Sequence, residues 1–244
     1  KVTPYKVIDY KEFETLKHDS KNSFLFISLA QIVKTTAKFV VLNLCMGEKS
    51  GDIEKMPEIF SLPLAYYMEV DDEESDEDVN DPDYTYKLGG LLQTIQFYAV
   101  WRIQNPNQDV EEFVKKSTTQ LKDKELWLLA KELPKDLQSL DKIQQIYPYT
   151  VKFVTEKEIE EAIKSKKSNV VYLHKIGPEE YKLTNVYCFK TLLSCEDGRP
   201  YYINYHTISK DKPDAFLKED FQKIGEAKWY LGGRRWNFYL MCIF

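Results

Sequence analysis

Cysteine is rare in this sequence, and its rarity excludes a scaffold held together by disulfides. The four cysteines, Cys45, Cys188, Cys195 and Cys242, are too few and too widely spaced for a framework in a chain of 244 residues. Buried free thiols that pack as small hydrophobic side chains are the preferred interpretation. One or two disulfide bridges stay open as the alternative.

Long apolar runs and an excess of positive charge are missing as well. The longest apolar segments, Phe24 to Ala30 and Phe39 to Cys45, have the length of strands, whereas a membrane-spanning helix needs about 20 apolar residues. The formal net charge of −5 argues against nucleic acid as a main partner, because phosphate binding requires clustered Lys and Arg. The composition is otherwise that of an ordinary globular protein.

Catalytic, cofactor and nucleotide-binding motifs are also absent. The pairs Gly89-Gly90 and Gly232-Gly233 lack the frame of a phosphate-binding loop and are interpreted as turn glycines. No nucleophile elbow, zinc-protease helix or Ser-x-x-Lys sequence is present. The sequence therefore predicts no cofactor and no catalytic residue, although carboxylates that converge only in space stay possible.

What the sequence does contain is a candidate internal repeat. Residues Asp9–Leu29 align without a gap with Thr155–Lys175, and apolar positions of the two segments coincide. Both segments open with a helix-cap signature, Asp9-x-x-Glu12 and Thr155-x-x-Glu158, in which the first side chain accepts from an orphan backbone N–H. Leu-Gly-Gly recurs near the end of each copy, at 88–90 and 231–233. Two unrelated starts with ordinary caps are the alternative explanation.

The predicted fold class is α+β, as a tandem duplication of a β-α-β-β-β-α-β-β unit with antiparallel sheets. The second copy carries the clearest signals: strand Val151–Val154, a helix from Glu156, and a hairpin centred on Asp197-Gly198. The first copy is predicted to begin with a strand at Tyr5–Ile8. Sequential strands joined by short turns indicate antiparallel pairing with helices on one face.

Three segments follow from this interpretation. The first repeat covers residues 1–103 and includes an acidic insertion loop at 69–83. A helical connector covers 104–147, where apolar residues such as Val110, Phe113 and Val114 recur at helical spacing. The second repeat covers 148–244.

The acidic loop is the first candidate binding site. Asp72, Asp76 and Asp78 lie in a dense run of carboxylates, and hard cations such as calcium take oxygen ligands. Neither register of the run fits the EF-hand pattern, because the positions for glycine and for the terminal glutamate hold other residues. These three residues are a weak candidate for a calcium site, and a solvated surface loop is the alternative.

A Cys–His site in the second copy is tested by the register of the predicted hairpin. With the turn centred on Asp197-Gly198, Phe189 pairs with His206 and Cys188 pairs with Thr207. Cys188 and His206 then point to opposite faces of the sheet, which excludes a catalytic dyad between them. A register slip of one residue would remove this exclusion.

A basic aromatic cluster near the second Leu-Gly-Gly is the best candidate for a ligand site. It consists of Trp229, Tyr230, Arg234, Arg235 and Trp236. Arg stacked on Trp can bind a planar or anionic ligand. The alternative is that the aromatic residues belong to the core.

The sequence favours a non-enzymatic binding or assembly protein for an unknown protein or small-molecule ligand. The repeat, the aromatic content and the missing catalytic motifs support this hypothesis. A hydrolase or transferase with its site in the cleft between the repeats is the alternative, and a cleft lined by ionisable residues with perturbed pKa values would favour it. Abundant tyrosine with scarce glycine suggests an extracytoplasmic bacterial protein, periplasmic or secreted, while the oligomeric state stays open.

Overall fold

The computed structural model describes residues 6–31, 38–67, 84–105, 107–178, 186–226 and 241–243. Its helices are α1 (Tyr10–Leu16), α2 (Leu88–Gln104), α3 (Val110–Thr118), α4 (Leu140–Gln144), α5 (Glu156–Lys164) and α6 (Lys218–Gly225). Its strands are β1 (Ser23–Gln31), β2 (Lys38–Met46), β3 (Glu58–Tyr67), β4 (Glu125–Leu128), β5 (Val151–Phe153), β6 (Val170–Ile176), β7 (Tyr187–Ser194), β8 (Pro200–Thr207) and β9 (Met241–Ile243). Single turns of 3-10 helix lie at Ile53–Lys55, Thr85–Lys87, Leu121–Asp123, Ala130–Glu132 and Lys135–Leu137.

Both predicted helix caps are present, although they differ in detail. At the start of α5 the backbone N–H of Thr155 donates to Glu158, and the backbone N–H of Glu158 donates to the Thr155 hydroxyl, which completes a capping box. At α1 the Asp9 carboxylate accepts from the backbone N–H of Glu12 at 2.8 Å. The Glu12 side chain pairs with Lys6 instead of returning to the cap.

The first sheet contains three antiparallel strands in the order β3-β2-β1, with the short β9 beside β1. The pairing of β1 with β2 runs without interruption from Ser23 opposite Met46 to Gln31 opposite Lys38. Because side chains alternate along a strand, Phe24 and its neighbours on one face pack against α1. The other face supplies Leu42 and Leu62 to a core shared with the second half of the chain.

The second sheet is mixed, in the order β5-β4-β6-β7-β8, so the prediction of purely antiparallel sheets is wrong here. Strand β4 lies between β5 and β6 and runs parallel to both. This strand comes from the predicted connector at 104–147, which is therefore not entirely helical. Parallel neighbours need a crossover connection, and the segment with α4 and the helix α5 provide the two crossovers.

An α-β-β-β-α order occurs once in each half of the chain. In the first half α1 precedes the antiparallel meander β1-β2-β3, and α2 follows it. In the second half α5 precedes the antiparallel meander β6-β7-β8, and α6 follows it. The predicted strand before α1 is not found, since Lys6–Ile8 is irregular.

The core runs continuously between the two halves. Leu64 of β3 and Leu91 of α2 belong to the same buried cluster as Ile163 of α5 and Tyr172 of β6. A second shared cluster joins Phe39 of β2 to residues of β6 and β7. On the opposite face of the second sheet a third cluster packs against α4 and α6. Sheet and helix faces from both halves are thus buried against one another.

The interpretation of Gly89-Gly90 as a turn is wrong, because both residues lie in the first turn of α2. A Cβ atom at Gly90 would lie 2.2 Å from the Tyr172 hydroxyl and 3.1 Å from Ile163 Cδ1. Glycine at this position lets α2 pack closely on β6 and α5. The matching pair, Gly232-Gly233, lies outside the described residues.

Candidate functional site

Both groups of residues that the sequence proposed as binding sites lie outside the described residues. These are Asp72, Asp76 and Asp78 of the acidic loop, and Trp229, Tyr230, Arg234, Arg235 and Trp236 of the basic aromatic cluster. Within the ranges that the structure does describe, no three His, Cys, Asp or Glu side chains lie close enough to hold a metal ion.

The predicted register of the β7–β8 hairpin is wrong by one residue, and Cys188 lies directly opposite His206. Leu192 pairs with Tyr202, but the next residue, Leu193, pairs with Pro200. Tyr201 is therefore an extra residue on β8, and this bulge shifts the register of the hairpin by one residue. Cys188 and His206 therefore share a face of the sheet. The prediction that Cys188 and His206 point to opposite faces of the sheet is therefore wrong.

The surroundings of the two residues nevertheless do not resemble an activated pair. The Cys188 thiol donates to the carbonyl of Ala215 at 3.8 Å, and His206 Nε2 lies 2.9 Å from the carbonyl of Pro213. Burial, and then the charge of Asp214, raises the pKa of the Cys188 thiol, whereas burial and the charge of Lys190 lower the pKa of His206. A neutral thiol beside a neutral imidazole is a poor nucleophile. Cys45, Cys188 and Cys195 are buried free thiols, as predicted.

Two buried ion pairs lie on the same face of the second sheet as Cys188. Lys175 and Lys190 are directly opposite each other in β6 and β7. Lys190 Nζ binds Asp220 at 2.5 Å, and Lys175 Nζ binds Asp214 at 2.6 Å. The Asp220 carboxylate also accepts from the Tyr202 hydroxyl, the Asn204 amide and the backbone N–H of Leu217. The two carboxylates neutralise two cations that would otherwise repel each other across the strands.

The two ion pairs shift the pKa values of Asp220 and Lys175 towards their charged forms. Burial acts to raise the pKa of Asp220, but the charge of Lys190 and the hydrogen bonds from Lys190, Tyr202 and Asn204 outweigh it, and the pKa is lowered. Burial acts to lower the pKa of Lys175, but the carboxylate of Asp214 outweighs it, and the pKa is raised. Asp220 and Lys175 are therefore held in their charged forms, and each is occupied by its ion-pair partner.

A third buried pair joins the two halves of the chain. Lys87, just before α2, binds Glu132 at 2.9 Å, and both side chains are almost inaccessible. His174 of β6 lies nearby, with Nε2 at 3.0 Å from the carbonyl of Pro63 in β3. Burial, followed by the charge of Lys87, lowers the pKa of His174 to about 3. This histidine is therefore neutral at physiological pH and acts as a structural hydrogen-bonding group.

A groove of about 460 Å³ lies at the junction of α2 and α3 with the turns α5–β6 and β7–β8. We call it the junction groove. Its aromatic residues are Phe97, Trp101 and Phe113. Its amide side chains are Gln93, Gln96 and Gln104. Its charged side chains are Lys166, Glu196, Asp197 and Arg199. Its volume falls within the range of ligand pockets, where an apolar surface is combined with a few polar groups.

Gly198 sets the geometry of the junction groove. It has φ of +73°, and a Cβ atom there would lie 2.4 Å from the backbone nitrogen of Thr94 in α2. The turn between β7 and β8 can therefore approach the backbone of α2 only because residue 198 is glycine. Asp197 and Arg199 flank this contact and are carried to the rim of the groove.

Arg199 is held in a defined orientation. Its guanidinium carbon lies 5.0 Å from the centre of the Phe113 ring, and its Nε donates to the Ser117 hydroxyl at 3.2 Å. Its backbone N–H donates to the Asp197 carboxylate at 3.0 Å. The Thr118 hydroxyl donates to the Tyr201 carbonyl at 2.6 Å and fixes α3 on β8. In the part of the chain that is described, no acceptor engages the two terminal guanidinium nitrogens.

The groove also contains a buried acceptor without a donor. Gln93 Oε1 is inaccessible to solvent and has no hydrogen-bond partner among the residues that the structure describes. A buried carbonyl oxygen without a donor is unfavourable by about 1–3 kcal/mol.

The side of α2 that faces away from the core carries four exposed apolar residues, with the polar Gln96 lying among them. Leu88, Leu92, Val100 and Ile103 are exposed by 37%, 41%, 44% and 80%, and we call these four residues the α2 outward face. The opposite side of the helix packs Leu91, Ile95 and Tyr98 into the core. Neither α2 nor any other helix within the described ranges is long and apolar enough to cross a membrane. Val100 belongs to both the outward face and the junction groove.

Sequence reasoning did not identify the junction groove. The Asp197-Gly198 turn and the helical spacing of Phe113 were recognised, but as local structure only. Nothing in the sequence signals that the turn touches α2, because the contact depends on how the two halves pack. No protein-family model, no curated protein and no solved structure matches this chain.

Proposed function

We propose that this protein is a non-enzymatic recognition module that binds a polypeptide segment in the junction groove and along the α2 outward face. The observation that carries the proposal is the continuity of the two surfaces through Val100, which lines the groove and is 44% exposed. An apolar side chain of the partner would enter the groove, and its neighbours would cover the helix.

The length of the apolar surface favours a macromolecular partner over a small molecule. From Leu88 to Ile103 the helix rises about 22 Å, at roughly 1.5 Å per residue. Clustered exposed apolar side chains on a folded protein are typical of interaction sites. A helix with apolar side chains on both sides is normally buried, and the described residues bury only one side of α2.

The chemistry of the groove favours a polypeptide. Three amide side chains, Gln93, Gln96 and Gln104, line the groove, and amide groups can donate to and accept from a peptide backbone. The aromatic residues provide a surface for an apolar side chain. Two cations and two carboxylates balance each other at the rim, which offers no net attraction to a polyanion such as nucleic acid.

The distribution of perturbed ionisable groups supports binding over the alternative of a hydrolase or transferase in this cleft. His174, Cys188 and Asp220, whose pKa values are clearly shifted, do not line the junction groove. Each of them already has a fixed partner within the protein. Catalytic groups need a perturbed pKa together with access to the substrate.

The proposed duplication strengthens the case for α2. The shared α-β-β-β-α order supports it, and by element order α2 corresponds to α6. This correspondence does not keep the match between Leu-Gly-Gly at 88–90 and at 231–233, since 231–233 follows α6. The outward residues of α6, Lys218, Glu219 and Gln222, are polar and exposed. If the helix after each meander only had to complete the fold, a polar outward side would be sufficient. The apolar outward face of α2 is therefore assigned to a partner. The extracytoplasmic location stays a prediction from composition.

Panning a library of random peptides against the full-length chain tests this proposal. Peptides enriched on the wild-type protein should lose at least tenfold in affinity on the double variant Leu92→Glu/Val100→Glu, because the added charges must be desolvated on binding. Leu140→Glu is the matched control, since Leu140 is 37% exposed and lies on α4, outside the groove. The proposal fails if no peptide is enriched, or if the enriched peptides bind the double variant as tightly as the wild type.

A further inference from the structure

We infer that the junction groove recognises a carboxylate next to an apolar side chain, with Arg199 as the residue that selects it. This inference rests on the proposed function and specifies the chemistry of the bound segment. The carboxylate could be the C-terminus of a polypeptide or an acidic side chain, and both present the same pair of oxygens to a guanidinium group.

Arg199 is held in place by its neighbours, while its terminal nitrogens stay available to a ligand. Its Nε is occupied by the Ser117 hydroxyl, and its plane lies near the rings of Phe113 and Tyr201, at 5.0 and 5.8 Å. The rotamer of the side chain is thus fixed before a ligand arrives, which reduces the entropy cost of binding. The terminal nitrogens, which have no acceptor among the residues that the structure describes, are the donors that bind carboxylates in a bidentate manner.

The charged residues that line the groove favour a ligand with a single negative charge. Lys166 adds a second cation to the lining of the groove, and its positive φ of 51° shows that the α5–β6 turn holds it in an unusual backbone conformation. Glu196 and Asp197 lie on the same rim as Arg199. These two carboxylates repel a doubly charged phosphate about twice as strongly as a singly charged carboxylate, whose single charge a bidentate contact with Arg199 can offset.

Aromatic and amide side chains lie beside Arg199 in the groove. Phe97, Trp101 and Phe113 supply the apolar surface beside Arg199. Gln93 and Gln104 supply amide groups that can bind a peptide N–H or carbonyl. An apolar side chain, an amide N–H and a carboxylate occur together within one amino-acid residue at a C-terminus, and within two adjacent residues where an acidic side chain follows an apolar one.

Small probes test the inference on the full chain. N-acetyl-phenylalanine carries the terminal carboxylate, and N-acetyl-phenylalaninamide is its uncharged match. Acetyl-Phe-Glu-amide and acetyl-Phe-Gln-amide form the equivalent pair for a side-chain carboxylate. Binding is measured by chemical-shift titration of the ¹⁵N-labelled protein at millimolar probe concentrations. In at least one pair, the probe with the carboxylate should bind about tenfold more tightly than its uncharged analogue. The pair that shows this difference identifies whether the carboxylate is a C-terminus or an acidic side chain.

Variants separate recognition from general binding. Arg199→Gln should abolish the preference for the acid while the uncharged probe binds as before, and Lys166→Gln, at an exposed position, should reduce the preference without affecting the fold. Leu140→Glu should keep the full preference. Equal binding of acid and match to the wild type, or a preference that survives in Arg199→Gln, overturns the inference but leaves the proposed function standing. Absence of binding by all four probes contradicts both.

Discussion

A Cβ atom at Gly198 would lie 2.4 Å from the backbone nitrogen of Thr94, so the β7–β8 turn and α2 meet backbone to backbone. This contact joins the first and second halves of the chain at the edge of the junction groove. It also lies where Gly198 has a positive φ of 73°, a conformation that a side chain disfavours. Sterics and backbone conformation therefore both require glycine here.

Replacing Gly198 with alanine should lower the free energy of unfolding by about 1–3 kcal/mol, because the turn must move away from α2 and the backbone is strained. Urea denaturation measures the loss. Gly89→Ala is the control, since a Cβ atom at Gly89 would meet only Ile163 Cγ2, at 3.5 Å. Equal losses in the two variants would show that the contact with Thr94 does not matter.

The packing of Gly90 against Tyr172 gives a second prediction. A Cβ atom at Gly90 would lie 2.2 Å from the Tyr172 hydroxyl, which is buried without a hydrogen-bond partner. Gly90→Ala should cost about 1–3 kcal/mol in stability. Tyr172→Phe alone should be neutral or stabilising, because it removes an unsatisfied polar group.

The double variant provides the decisive measurement. Adding Tyr172→Phe should recover part of the loss caused by Gly90→Ala, since the hydroxyl is the atom closest to the new methyl group. Recovery is partial because the ring carbon Cζ would still lie 3.1 Å from the methyl. Strict additivity of the two substitutions in thermal unfolding would contradict the proposed clash.

The buried pair of Lys190 and Asp220 gives a third prediction. Asp220→Asn should destabilise the protein by about 3–5 kcal/mol, because it leaves the Lys190 ammonium buried without its counter-charge. The double variant Lys190→Met/Asp220→Asn should be more stable than Asp220→Asn alone, since it removes the uncompensated charge.

Lys164 and Glu160 supply the comparison at the surface. This ion pair is exposed on α5, and removing it with Glu160→Gln should change stability by about 0.5 kcal/mol or less. Chemical denaturation of all four proteins under one condition gives the comparison. A loss in Asp220→Asn as small as that in Glu160→Gln would show that the buried pair contributes no more than an exposed one.

Protonation of His174 predicts a loss of stability in mild acid. Burial and the charges of Lys87 and Lys175 lower its pKa to about 3 in the folded protein, whereas an unfolded chain binds the proton near pH 6.5. A depressed pKa contributes stability that is present in full above about pH 6.5 and is lost as the pH falls towards 3. The loss attributable to this residue is on the order of 3–5 kcal/mol.

Unfolding free energies measured from pH 7 to pH 4 test this assignment. His174→Gln keeps an amide donor for the Pro63 carbonyl but does not titrate, so its stability should fall less steeply with pH than that of the wild type. His18→Gln changes an exposed histidine and should keep the wild-type slope. The same slope in all three proteins would exclude His174 as the source.

The parts of the fold that the sequence predicted are those controlled by local patterns. The caps at Asp9 and Thr155 and the strands of the second meander depend on residues within one element or one turn. The central strand β4 was missed because its four residues, Glu125–Leu128, lie between helical patterns and pair with strands far along the chain. Its identity as a strand comes from those partners.

The hairpin between β7 and β8 shows a different limit. The turn was predicted to be centred on Asp197-Gly198, but Leu193 lies opposite Pro200, which centres it one residue earlier. One extra residue in β8 then places Cys188 opposite His206. The face on which a side chain lies changes with every single residue of register, so a small irregularity alters the chemistry of a whole strand. The junction groove was beyond prediction for a similar reason, because Arg199 and Phe97 meet only after both halves have folded against each other.

The pairing of β1 with β9 has a consequence for synthesis of the protein. Leu29 in β1 lies opposite Ile243 in β9, so β1 pairs with a strand that is translated long after it. During translation the backbone groups on that edge of β1 cannot pair with β9 until nearly all of the sequence printed here has been made. An edge strand held open in this way is prone to pair with another chain. Chaperones that hold nascent chains would therefore have a specific segment to protect.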